Sequence, residues 1–164
     1  MTVDEFWDWA LARYSHPATR EHLLALQDRL ELVVLEALFA AWLANQHYEW
    51  SDSAVDRLVM ATESWHQAVV LPLRDKRIQW RSEPSLRTAR EHLLSLEVQA
   101  ERHLAELIWD AVMSSPESET DVIFQPASAS EALMSTNLGC IAPFRDGKYV
   151  SERAQTVALL DQAT

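Results

Sequence analysis

Glu31–Gln46, ELVVLEALFAAWLANQ, is apolar almost all the way round: Leu32, Val33, Val34, Leu35, Leu38, Phe39, Trp42 and Leu43 share no single face. A helix of this kind sits at the centre of a fold, because a surface helix keeps one polar side. It is too short for a membrane span, which takes about 18 or more apolar residues, and Glu36 interrupts it. The stretch therefore predicts a buried helix that other helices must cover.

Those helices are readable on both sides of it. Val3 to Tyr14 reads as a first helix, with Asp4, Glu5 and Asp8 complementing the dipole of its early turns. Ser15-His16-Pro17 breaks it, and Pro17 opens a second helix to about Leu30, with Leu23, Leu26 and Leu30 at i, i+3, i+7. No stop signal separates this helix from the central one, so the two are continuous or kinked near Leu30. After a connection at His47–Trp50, Ser51 or Asp52 caps a fourth helix through Val55, Leu58 and Trp65 to Leu71, where Pro72 kinks or ends it. Leu73 to Trp80 resumes the pattern. Pro84 opens the longest element, to about Met113, with a heptad-like seam of Leu86, Ala89, Leu93, Leu96 and Ala100, then Leu104, Leu107 and Ala111 after a small shift.

Residues 1–138 contain no glycine, and the whole chain has only Gly139 and Gly147. That excludes phosphate-cradling loops, dinucleotide fingerprints and nucleophile elbows, all of which need glycine for close backbone approach or tight turns. The expected fold is all-α: a single-domain bundle of about five main helices over residues 1–113. Residues 114–164 form a linker and C-terminal segment packed on the same domain. In that segment the acidic run Ser114–Asp121 reads as a loop or flexible linker, Val122-Ile123-Phe124 as an extended piece, and Ser130–Leu138 and Ser151–Asp161 as short helices.

The chain has 164 residues, 48% of them hydrophobic, and a formal net charge of -11. At this size folding buries roughly 68–70% of the unfolded surface, enough for a self-sufficient core. Such acidity disfavours nucleic acid and anionic membrane surfaces as partners. The N-terminus shows no signal-peptide pattern, so a cytoplasmic location is the expectation. The lone Cys140 excludes an internal disulfide and any multi-cysteine zinc site.

Few residues suggest chemistry. Glu63-Ser-Trp-His66 has the Glu-x-x-His spacing of diiron helices, but such a bundle needs a second copy and further carboxylates, and only Glu36 lies deep in an apolar helix. Asp4/Asp8 and Asp52/Asp56 sit in helical first turns, where aspartate is common anyway. Glu36 is a candidate buried carboxylate with a raised pKa. Trp7 and Trp9 point about 200° apart on one helix, so one of them is a candidate interface anchor. Arg74, Lys76, Arg77 and Arg81 form the one basic cluster of an acidic chain, either paired with local acids or a docking patch for an acidic partner.

Phe6-Trp7, Tyr14, Pro17, Leu24-Ala25-Leu26-Gln27-Asp28, Leu38-Phe39 and Trp42-Leu43-Ala44 form one set of landmarks. Trp65, Val69-Val70, Pro72-Leu73-Arg74 and Arg77 follow. Over residues 4 to 112 this pattern resembles an uncharacterised bacterial domain-of-unknown-function family. The resemblance implies small, helical, cytosolic proteins of proteobacterial type and brings no activity. Where that family usually has a glycine followed by Asp-Val-Asn, this chain has Glu31 and then Val33-Val34-Leu35. His66 stands where arginine is frequent.

With no catalytic constellation, the expected role is a non-enzymatic protein–protein interaction or regulatory module, acting on a partner or by self-association, without cofactor. The alternative is a metal- or small-ligand-binding bundle, possibly enzymatic, built on Glu36, Glu63 and His66. A third reading is a binder of apolar ligands between helices.

Overall fold

In the computed structural model, which describes residues 1–162, helix α3 (Val34–Asn45) is buried without interruption from Leu35 to Ala44. Helices α1 (Val3–Ser15) and α2 (Pro17–Leu30) pack on it from one side. The Thr2 hydroxyl accepts the Glu5 N–H, and the Glu5 carboxylate accepts the Thr2 N–H at 2.6 Å, a reciprocal capping box that fixes the start of α1. Phe6 enters the core edge-on to Phe39, with ring centroids 5.0 Å apart.

The second and third helices are not continuous. Glu31 ends α2 in the left-handed conformation, φ 57° and ψ 29°, and its N–H donates to the Gln27 carbonyl. Val33 then stands at the start of α3 without a side chain able to cap it. Holding a non-glycine residue left-handed costs about 1–2 kcal/mol, whereas fully burying a leucine gains about 1.5–3 kcal/mol. Leu32, one residue on, is 1% exposed. Its burial offsets the strain at Glu31, so packing rather than a local stop signal makes the break.

Tyr48–Trp50 is a short strand, β1, where the sequence reads only as a connection. It pairs antiparallel with β2 (Val122–Phe124), with Tyr48 opposite Phe124 and Trp50 opposite Val122. Three-residue strands are too short to show an alternating pattern.

Helix α4 (Asp52–Trp65) is capped by Ser51. It runs through a π-helical turn, His66–Val70, into α5 (Leu71–Gln79), the Leu71 N–H donating to the His66 carbonyl five residues back. Pro72 therefore neither ends the helix nor clashes with it, because the widened turn accommodates a residue lacking an N–H. Short 3₁₀ turns, Trp80–Ser82 and Pro84–Leu86, lead into α6 (Arg87–Val112).

The apolar seam expected on α6 is displaced along the helix: of its members only Ala100 and Leu104 are buried. Leu96 is 50% exposed, and the buried line runs through Glu97, Ala100, Leu104, Ile108 and Val112. No residue of α5 is buried, nor any from Arg87 to Leu96, so α5 and the start of α6 form a surface hairpin. Its inner face carries arginines, and it is a carboxylate, not a leucine, that must meet them.

The acidic run after Met113 is pinned rather than free. It includes a helical turn, α7 (Ser118–Asp121); Asp121 forms an ion pair with Arg57, and its carbonyl accepts the Ser51 N–H at 2.8 Å. Helix α8 (Ser130–Gly139) then packs on the alanine face of α3, and α9 (Val150–Gln162) packs on α8 and α2. Asn137 of α8 donates to the carbonyls of Ala40 (3.1 Å) and Tyr48 (2.9 Å) and accepts the Trp50 N–H. Residues 163 and 164, the end of the C-terminal segment, lie outside the described residues. Among those described, no helix is long and apolar enough to cross a membrane.

Candidate functional site

Two departures from regular helix, the break at Glu31 and the π turn, leave a cleft between α1, α3, α5 and α6. Its cavity volume is about 80 Å³, and it is partly open to solvent. From α1 come Trp7, Ala10, Leu11 and Tyr14, at i, i+3, i+4 and i+7 on one helical face. The break after α2 brings in Val33, Val34, Leu35 and Leu38 as an apolar wall. His66 and Val70 reach the cleft from the π turn, and Leu104 from α6. Extra residues wound into a helix often mark functional positions, because they re-aim the side chains on either side.

The polar end of the cleft is organised by Arg74. Its Nε donates to Glu97 at 3.0 Å, its Nη1 to Gln27 at 2.7 Å and its Nη2 to Glu101 at 2.7 Å. Arg77 lies behind it and donates to both oxygens of Glu97, at 2.5 and 3.2 Å. Burial works to raise the Glu97 pKa, but the bonds from Arg77 and Arg74 outweigh it and hold this carboxyl below its ordinary range. Glu101 goes the other way: burial, only partly offset by Arg74, raises it. Burial also raises the Tyr14 phenol, and burial together with the Arg74 charge lowers the His66 imidazole from 6.5. At neutral pH the cleft therefore faces a protonated phenol and a neutral imidazole.

Among the described residues neither the Tyr14 hydroxyl nor the His66 ring has a protein hydrogen-bond partner, and Glu101 spends only Oε1 on Arg74. The site thus presents one O–H donor, an imidazole nitrogen and a carboxylate oxygen beside an apolar wall.

The candidates taken from the sequence are dispersed. Trp7 lines the cleft, with the Arg102 guanidinium over its ring at 5.5 Å. Trp9 lies on another side of α1, under Arg13 at 4.9 Å, and its buried indole N–H has no partner among the described residues. Arg74 and Arg77 turn inward onto α6 acids, whereas Arg81 is exposed at the hairpin tip, its carbonyl accepting from Arg90. Glu36 is buried, 7% exposed, outside the cleft, near the Thr62 hydroxyl; desolvation pushes its pKa up to about 7. Glu63 is exposed while His66 is drawn into the cleft by the π turn, so Glu36, Glu63 and His66 do not converge as a metal site requires. Among the described residues no three His, Cys, Asp or Glu gather where an ion would fit. The Cys140 thiol is pushed up to about 11 by burial, then by Asp52, and stays protonated.

Sequence reasoning passed over Tyr14, Gln27 and Glu101. Tyr14 and Gln27 belong to the pattern that carries the family resemblance, as do Trp7, Leu38, Val70 and Arg74, and all six meet at this cleft. Glu101 reads as part of the polar face of α6; the one available signal was the phase shift in the leucine seam at that point.

Searches of curated proteins and of solved structures find no significant match. The family described as "Protein of unknown function (DUF2390)" matches residues 5–108, a span that contains every cleft residue from Trp7 to Leu104. The chain belongs to this family.

Proposed function

We propose that this protein binds a small organic molecule in the cleft between α1, α3, α5 and α6. One observation carries the reading. Tyr14, His66 and Glu101 line, from three separate elements, a cleft otherwise walled mainly by apolar side chains, and among the described residues Tyr14 and His66 make no side-chain hydrogen bond to protein while Glu101 uses one oxygen on Arg74. All three are half-buried, and a cleft that sets such groups beside an apolar wall suits a ligand with both kinds of surface. A thermal-shift and ligand-observed NMR screen of small neutral and charged fragments tests it. Binders are expected to be lost on Leu11→Trp, which blocks the cleft mouth at a half-exposed position and leaves the core intact. A screen whose hits all survive that substitution removes the reading.

A second reading is a protein–protein interaction role without chemistry. Leu94, Leu96, Val98 and Ile78 are 42–50% exposed on the α5–α6 hairpin. Sedimentation at several concentrations tests self-association through it: Leu94→Glu is expected to abolish any dimer, and a chain monomeric at all concentrations counts against it.

A further inference from the structure

We infer that the cleft selects uncharged molecules, an apolar body carrying a hydroxyl or primary amide, over carboxylates and amines of the same shape. The inference rests on the ligand-binding reading and names its ligand class.

The charges at the polar end of the cleft are already matched. Arg74 and Arg77 face Glu97 and Glu101, two cations against two carboxylates. An anionic head needs the paired N–H groups of a guanidinium edge. In Arg74 each of the three nitrogens is engaged, by Glu97, Gln27 and Glu101. A carboxylate would have to displace Glu101 or Gln27 and would lie beside Glu97. An ammonium meets the opposite difficulty: the only open carboxylate oxygen belongs to a group already paired with Arg74, and the guanidinium next to it repels a second cation. Either charged head loses its water without gaining an unmatched counter-charge, which is a net cost in a partly enclosed site.

An uncharged head meets no such conflict. The Tyr14 hydroxyl donates to it, and the open Glu101 oxygen or the neutral His66 nitrogen accepts from it. A hydroxyl or primary amide both accepts and donates, so it matches this set. The body lies against Leu35, Leu38, Val70 and Leu104.

The test uses four probes on one skeleton: benzyl alcohol, benzamide, benzoate and benzylamine. Each is titrated into the ¹⁵N-labelled full chain at pH 7, with the Trp7 indole and the amides of Tyr14, His66 and Val70 as reporters. Benzyl alcohol and benzamide are expected to shift these signals with Kd at least tenfold below those of benzoate and benzylamine. Tyr14→Phe is expected to reduce the alcohol's affinity about tenfold, the value of one buried hydrogen bond, and Leu11→Trp to abolish the shifts for all four. Benzoate or benzylamine binding the same reporters as tightly as the alcohol overturns the ligand class and leaves the ligand-binding reading standing. No shift at these reporters with any probe, or shifts only elsewhere, overturns both.

Discussion

Glu36 is the one carboxyl deep in the most apolar helix, and its burial has a sign that can be measured. Its folded pKa, about 7, stands above the ordinary 4.5, so the folded state holds a proton that the unfolded chain has released. Stability attributed to this group is complete below about pH 4.5, falls as pH rises toward 7, and stays low above it. The difference of about 2.5 units corresponds to a loss on the order of 3 kcal/mol. Glu36→Gln is expected to leave the urea midpoint at pH 4.5 nearly unchanged and to raise it at pH 8; parallel profiles for the two proteins would contradict the assignment. A second single-residue test concerns the strained turn. Glu31→Gly is expected to stabilise by about 1 kcal/mol, because glycine enters the left-handed region freely, while Glu31→Ala brings no such gain. The glycine that the resemblance expects at this position is thus explained by one φ angle.

At the scale of the element, α6 separates what a pattern reports from what packing decides. The heptad reading leaves position 97 outside its seam of Leu93, Leu96 and Ala100, on the polar face of the helix. In the fold, Glu97 is 4% exposed and holds Arg74 and Arg77 at once. Glu97→Leu is therefore expected to destabilise by about 3 kcal/mol or more, the usual cost of leaving buried charge unmatched. A midpoint equal to or above that of the native chain in chemical denaturation would refute this. The same contrast shows how far the sequence could be read. Pro17 and Ser51 mark helix starts because their effect is local, and the all-round apolarity of α3 announces burial because no surface helix tolerates it. The break at Glu31 carries no local stop signal, and Pro72 marks an irregularity after Leu71 without telling that it takes the form of a π turn at His66. The cleft beside those two irregularities was illegible because it is built from elements far apart in the chain, although six of the fourteen residues that line it stood in the pattern that carries the family resemblance.

The whole molecule does not stop where the family match does. Residues 5–108 define the family, yet Val122, Leu133, Met134, Leu138, Ile141, Phe144, Val157 and Leu160 belong to the same core as Phe6 and Phe39. Ending the chain after Met113 uncovers the alanine face of α3 and removes the Asn137 bonds to Ala40 and Tyr48. Such a truncation is expected to lose cooperative thermal unfolding and to aggregate; a sharp calorimetric transition from it would show that the first 113 residues fold alone.

The bond from Asn137 to the Ala40 carbonyl also sets a schedule. Its partners are 97 residues apart in the chain. At translation rates of about 5–20 residues per second, roughly 5–20 s separate the synthesis of the central helix from that of the segment that covers it. During that interval the face of α3 that α8 will cover stays open, although α1 and α2 are already made. Added holdase capacity is therefore expected to raise soluble yield during synthesis, and a yield unchanged by it would count against this schedule.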